Sequence, residues 1–114
     1  MSERVARVSQ GILEVLASEI PKLKDPRVGF VTVTNVDITP DLRKAHVNYT
    51  VLGDEKAQKG TAAGLRSATK HLRAVIGKSL RLRYTPELHF RKDEGVENLQ
   101  RVDELLKEAY RNDG

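Results

Sequence analysis

The side chains with which this chain could do covalent or acid–base chemistry are few and widely spread. His46, His71 and His89 fall in three different predicted elements, with no pair at metal-ligand spacing, so each reads as a surface or boundary residue. Ser2, Ser9, Ser18, Ser67 and Ser79 include none in the strained strand-to-helix setting of a serine nucleophile. Asp37 and Asp41 flank a predicted turn, where aspartate ordinarily bonds nearby backbone. The rival reading is a catalytic carboxylate pair, which would make the chain a hydrolase working with Asp37, Asp41 or a histidine. Gly60 and Gly64 are not followed by Lys-Ser/Thr, so no phosphate loop is present. The chain has no cysteine, which excludes disulfides, thiolate metal sites and cysteine nucleophiles. The expectation is a non-enzyme with no cofactor and no metal.

The cations carry a stronger signal. The formal net charge of +4 conceals a division into three parts. Residues 1–58 balance eight bases against eight acids, and residues 59–92 set nine bases against Glu87 alone. Residues 93–114 set seven acids against three bases. At about 100° per residue, Arg66, Lys70 and Arg73 share one narrow helical face, which Lys59 would extend. Lys78, Arg81 and Arg83 carry the charge into the next connection. Solubility faces normally mix both signs at four-residue spacing, yet no acid lies between Lys59 and Tyr84. A polyanion-facing surface is therefore expected, against the alternative of a solvated face. Arg4, Arg7, Lys24 and Arg27 form a second tier of candidates, and Arg27 also suits the C-terminal end of a helix dipole. The acidic last segment is expected to expose a charged outer helical face; screening of the basic surface is the alternative.

The elements that must position these groups follow from apolar spacing. One domain is expected over residues 1–114, with its core at about 4–92. Aromatic residues are only 4% of the chain, so that core must be built of Val, Leu, Ile and Ala. Val5, Val8, Ile12, Val15, Leu16, Ile20 and Leu23 recur at three- and four-residue steps, predicting a helix that ends before Asp25-Pro26. Residues 29–38 read as a strand whose alternation slips between Val33 and Val36. A bulge near Asn35 would explain the slip, as would burial on both faces. After a turn at Thr39-Pro40-Asp41-Leu42, the inward Ala45, Val47, Tyr49 and Val51 predict a hairpin partner. Residues 55–80 read as a long or broken helix with Leu65, Ala68, Leu72, Val75, Ile76 and Leu80 inward and Gly60, Gly64 and Gly77 as weak points. Leu88 and Phe90 flank His89 in a third strand, and residues 96–110 predict a C-terminal helix. No stretch approaches the roughly 20 apolar residues of a membrane span, and the N-terminus lacks a secretory pattern; a cytoplasmic protein is expected.

This α/β order of helix, strand, strand, helix, kink, helix, strand resembles a type II KH domain with a three-stranded sheet. KH modules clamp RNA backbone with a Gly-x-x-Gly loop, and no two glycines here are three apart. A KH-like fold without that loop is the fold of the ribosome-binding factor A family. The resemblance runs from Arg4-Val5-Ala6-Arg7-Val8 and Ile12 through Lys24-Asp25-Pro26-Arg27 to Thr32-Val33-Thr34 and Val36. It continues in Asp41-Leu42, Ala45-His46-Val47, Leu72-Arg73, Leu82-Arg83, and Pro86-Glu87-Leu88-His89-Phe90 with Asp93. It covers residues 4 to about 106, and the order and spacing of the blocks make it specific. One departure is Ala68-Thr69-Lys70, where the family has Ala-x-Gly at a kink between two helices. Lysine is a good helix former and lacks glycine's freedom, which predicts a milder kink or one imposed by packing.

The resemblance implies a factor that associates with free or immature 30S small ribosomal subunits and assists late maturation and 5′-end processing of 16S ribosomal RNA. It also implies cold adaptation and a link to ribosome-assembly GTPases. The partners expected are the small subunit and its ribosomal RNA, without a membrane, with the chain acting as a monomer. Arg66, Lys70, Arg73, Lys78, Arg81 and Arg83 are the expected RNA contacts. The alternative is a general single-stranded RNA-binding protein. That would want exposed aromatics, whereas most of Phe30, Tyr49, Tyr84, Phe90 and Tyr110 fall on core-facing parity.

Overall fold

The computed structural model describes residues 3–93. Helix α1 (Glu3–Glu19) buries Val5, Ile12 and Leu16 along one stripe, and a 3-10 turn at Ile20–Lys22 prolongs it. Pro21 lies at the start of that turn, where a missing N–H costs no internal bond. Leu23 is already extended, so the helical segment stops ahead of Asp25-Pro26, as the sequence predicts.

Strands β1 (Phe30–Ile38) and β2 (Lys44–Leu52) form an antiparallel hairpin. Val33 pairs with Tyr49 and Asn35 with Asn48, which leaves Thr34 as the extra residue of a bulge. The bulge accounts for the slipped alternation. Val31 and Val33 before it, and Val36 and Ile38 after it, all pack toward the same core. At the hairpin turn Leu42 takes φ 62° and donates its N–H to the Thr39 carbonyl at 2.8 Å.

Helix α2 (Glu55–Leu80) then carries the chain across to β3 (Glu87–Lys92), which runs parallel to β2. The result is a mixed three-stranded sheet in the order β1-β2-β3. The helices pack on one face of it around Ile12, Leu16, Val47, Leu65, Leu72 and Ile76, all fully buried. The other face presents Asp37, His46, Asn48, His89 and Arg91 in register across the three strands.

Of the two readings of residues 55–80, long or broken, the structure has the long one, and the kink between two helices is corrected to one unbroken helix α2 of 26 residues. Lys70 supplies helix propensity at the kink position and leaves no interruption there. Gly60 and Gly64 are packing positions in this helix. The segment Asp25–Gly29 crosses them so closely that a Cβ on Gly64 would fall 2.5 Å from Val28 Cγ2. Thr61, fully buried between the two glycines, accepts the Gly29 N–H at 3.0 Å. The predicted C-terminal helix at 96–110 lies outside the described residues.

Candidate nucleic-acid interface

Helix α2 is fixed at both ends by local chemistry. Asp54 caps its start by accepting the Ala57 N–H at 2.9 Å. At its end Arg81 turns left-handed, with φ 53° and ψ 43°, and the Gly77 carbonyl accepts both the Arg81 and the Leu82 N–H. Leu65, Leu72 and Ile76 face the sheet, and Arg66 and Lys70 stand exposed about a third of a turn away. Lys78, Arg81 and Arg83 are exposed as well. Among the described residues, Arg66, Lys70, Lys78, Arg81 and Arg83 make no ion pair with a carboxylate. The Arg83 guanidinium carbon lies 5.7 Å from the centroid of the Tyr84 ring.

Arg73 occupies the same face with a different attachment. Its Nε donates to the Pro86 carbonyl at 3.1 Å, and a terminal nitrogen donates to the Thr85 carbonyl at 2.9 Å. The half-buried guanidinium thus clips the connection between α2 and β3 onto the helix. Lys59, which extends the row, pairs with Glu55 at 3.1 Å, an acid one turn before the uncompensated stretch.

The second-tier residues separate further. Arg4 and Lys24 are exposed, and Arg7 pairs with Glu3 at 3.3 Å. Arg27 grips the Asp25 carboxylate through Nε and a terminal nitrogen, the shortest contact being 2.7 Å, and reaches the Ser67 hydroxyl on α2 at 3.2 Å. The Arg27 side-chain hydrogen bond, with its backbone N–H, holds the Asp25 carboxyl below its ordinary value, and Asp25 raises Arg27 in return. This locks the loop that crosses the glycines of α2.

The groups weighed for catalysis are dispersed. Asp41 Oδ1 accepts the Thr39 hydroxyl at 2.6 Å and the Arg43 N–H at 3.0 Å. Those two bonds, the hydroxyl first, hold its pKa below the ordinary carboxylate value. Asp41 therefore organises the hairpin turn. Asp37 lies on the open sheet face with Arg91 3.7 Å away. His46 and His89 sit side by side there, their centroids 5.5 Å apart, while His71 is exposed on α2. Among the described residues, no group of three or more His, Asp or Glu could hold a metal ion, and no helix is long and apolar enough to cross a membrane. Burial raises the Tyr49 phenol above its ordinary value, with the nearby Arg66 charge pulling the other way.

The expected majority of core-facing aromatics does not hold among the described residues: Tyr49 is buried and Phe90 half-buried, whereas Phe30 and Tyr84 are 73% and 77% exposed, and Tyr110 lies outside the described residues. Phe30 was legible, since it has the opposite parity to Val31 and Val33. Tyr84 belongs to a connection without periodicity, and its position depends on the clip made by Arg73.

Comparison with known proteins agrees with this architecture. The family model for Ribosome-binding factor A matches residues 4–106. Ribosome-binding factor A of Geobacter sulfurreducens is 48% identical over 115 residues, covering all of this chain and 98% of that one. A Thermotoga maritima protein solved by solution NMR superposes with a TM-score of 0.73 at 34% identity, over 83% of this chain and 92% of that one. A Thermus thermophilus ribosome binding factor A, a homology model fitted into a cryo-EM map of a complex with the 30S subunit, superposes at 0.64 and 25% identity, over 83% and 97% of the two chains. With nearly its full length matched, this chain belongs to the ribosome-binding factor A family.

Proposed function

We propose that this protein binds the small ribosomal subunit, and that Arg66, Lys70, Lys78, Arg81 and Arg83 meet ribosomal RNA phosphates while Arg73 holds the connection that completes the surface. The observation that carries this reading is the set of exposed cations on α2 and on the connection after it, with no carboxylate partner among the described residues. The Thermus relative fitted into a 30S complex supports the choice of polyanion. Phosphate contacts supply affinity, and the shape of folded RNA with neighbouring ribosomal proteins supplies specificity. Arg4 and Lys24 are peripheral contacts, whereas Arg7 and Arg27 have carboxylate partners.

The finer reading follows from the family. The chain acts in the cytoplasm as a monomer on free or immature 30S subunits, aiding late maturation and 5′-end processing of 16S ribosomal RNA. It does so in the same stage as assembly GTPases and with most effect in the cold. Sedimentation of cell extract tests this directly. The protein should travel with immature small subunits and be depleted from mature ribosomes; uniform distribution, or absence from subunit fractions, rejects it. A general single-stranded RNA binder would instead hold unstructured RNA as tightly as intact subunits.

A further inference from the structure

We infer that Tyr84 is a stacking platform for an unpaired RNA base at the end of the phosphate-binding row, which rests on the proposed RNA-binding function. A single exposed aromatic means little by itself; its placement here decides the matter. On the α2 helical wheel Arg66, Lys70, Arg73 and Gly77 fall within an arc of about 60°. Gly77 is where the chain folds back onto this face: a Cβ there would lie 2.6 Å from Thr85 Oγ1. Arg73, from the same row, grips the carbonyls of Thr85 and Pro86, and Pro86 itself is fully buried. The residue before Thr85 is thereby held at the end of the cation row.

The ring is also prepared for a flat ligand. Arg83 covers Tyr84 at 5.7 Å, while the side chain stays 77% exposed. An arginine against one side of the ring leaves the other for a nucleobase, and restrains the side chain before binding. Stacking on aromatics beside a cationic groove is how proteins hold unpaired bases with little sequence preference. A phosphate chain following Arg66 and Lys70 along the helix reaches Gly77, against which Thr85 packs, after about 16 Å at 1.5 Å rise per residue.

Binding of the full-length protein to purified immature small subunits, followed across salt concentrations, tests the assignment. Tyr84→Ala should weaken binding about tenfold, within the range for loss of one stacked base, and leave the salt slope unchanged because no charge is removed. Tyr84→Phe should bind like the wild type, and Tyr84→Leu should be as weak as the alanine variant, because only a ring stacks on a base. Tyr84→Ala binding with wild-type affinity overturns the inference alone. Full binding by Tyr84→Leu overturns it too, in favour of an apolar protein pocket. Wild-type protein that fails to bind subunits at any salt rejects the underlying RNA reading and this assignment with it.

Discussion

Arg66, Lys70 and Arg73 share a face and differ in what holds them. Arg66 and Lys70 are exposed, whereas Arg73 donates to two backbone carbonyls from a half-buried position. Arg73→Ala should therefore lower unfolding free energy by about 1–3 kcal/mol, since hydrogen bonds from a charged donor are lost. Urea denaturation measures this. Arg66→Ala and Lys70→Ala should each stay within about 0.5 kcal/mol of wild type. Together they should reduce the salt slope of subunit binding by roughly one unit per lost phosphate contact. Helical spacing showed that the three residues share a face; it could not show that Thr85 and Pro86, from the next connection, would reach Arg73. Asp41 makes a pH-dependent counterpart. Its pKa in the folded state is depressed below the ordinary 3.8 by the Thr39 hydroxyl and the Arg43 N–H. The stability it contributes is thus present above that value and lost as pH falls through the lower, folded one. Asp41→Asn should flatten the fall in urea midpoint below about pH 4 relative to wild type; an unchanged acid limb would show that the turn does not feel this carboxylate.

At the scale of elements, most boundaries were readable because apolar spacing reports burial directly. The 3.6-residue stripe of α1 and the strict alternation of β2 each have one buried face. The bulge at Thr34 was one of two explanations for the slip in β1, and only the pairing with Tyr49 and Asn48 separates them. The unbroken course of α2 depended on a contest between family pattern and local propensity, and propensity prevailed at Lys70. The glycines of α2 looked like weaknesses because sequence does not show what crosses a helix. Gly64→Ala illustrates the point. Helix propensity favours alanine by about 1 kcal/mol, but its Cβ would fall 2.5 Å from Val28 Cγ2 and 3.3 Å from an Asp25 carboxylate oxygen. Overpacking of about 1–3 kcal/mol opposes that gain, so a net loss is expected in chemical denaturation. Gly60→Ala, with its nearest neighbour 3.3 Å away, should be tolerated better.

Over the whole molecule, charge is sorted by position in the chain: residues 59–92 hold the excess of cations and residues 93–114 the excess of acids. Neutralising several RNA phosphates with such a surface releases counterions. Affinity for subunits should therefore drop by at least about a hundredfold between roughly 50 and 200 mM salt if four or more contacts form. A shallow dependence, read by filter binding or sedimentation, would mean that protein contacts dominate instead. A ribosomal partner was legible only through the family resemblance, because a row of cations carries no record of which polyanion it would meet. The parallel seam between β2 and β3 has a temporal consequence. It joins Lys44 to Glu87 and Tyr49 to Lys92, residues separated by the whole of α2. Pairings so remote in sequence close last, because a long loop must be ordered before they form. On a nascent chain, the hairpin and both helices would exist before Thr85 and Pro86 had emerged to be gripped by Arg73. That grip spans only 12 and 13 residues, so Tyr84 would be seated before the seam beyond it closes, and the positive helix would stand without its aromatic only until those residues appear.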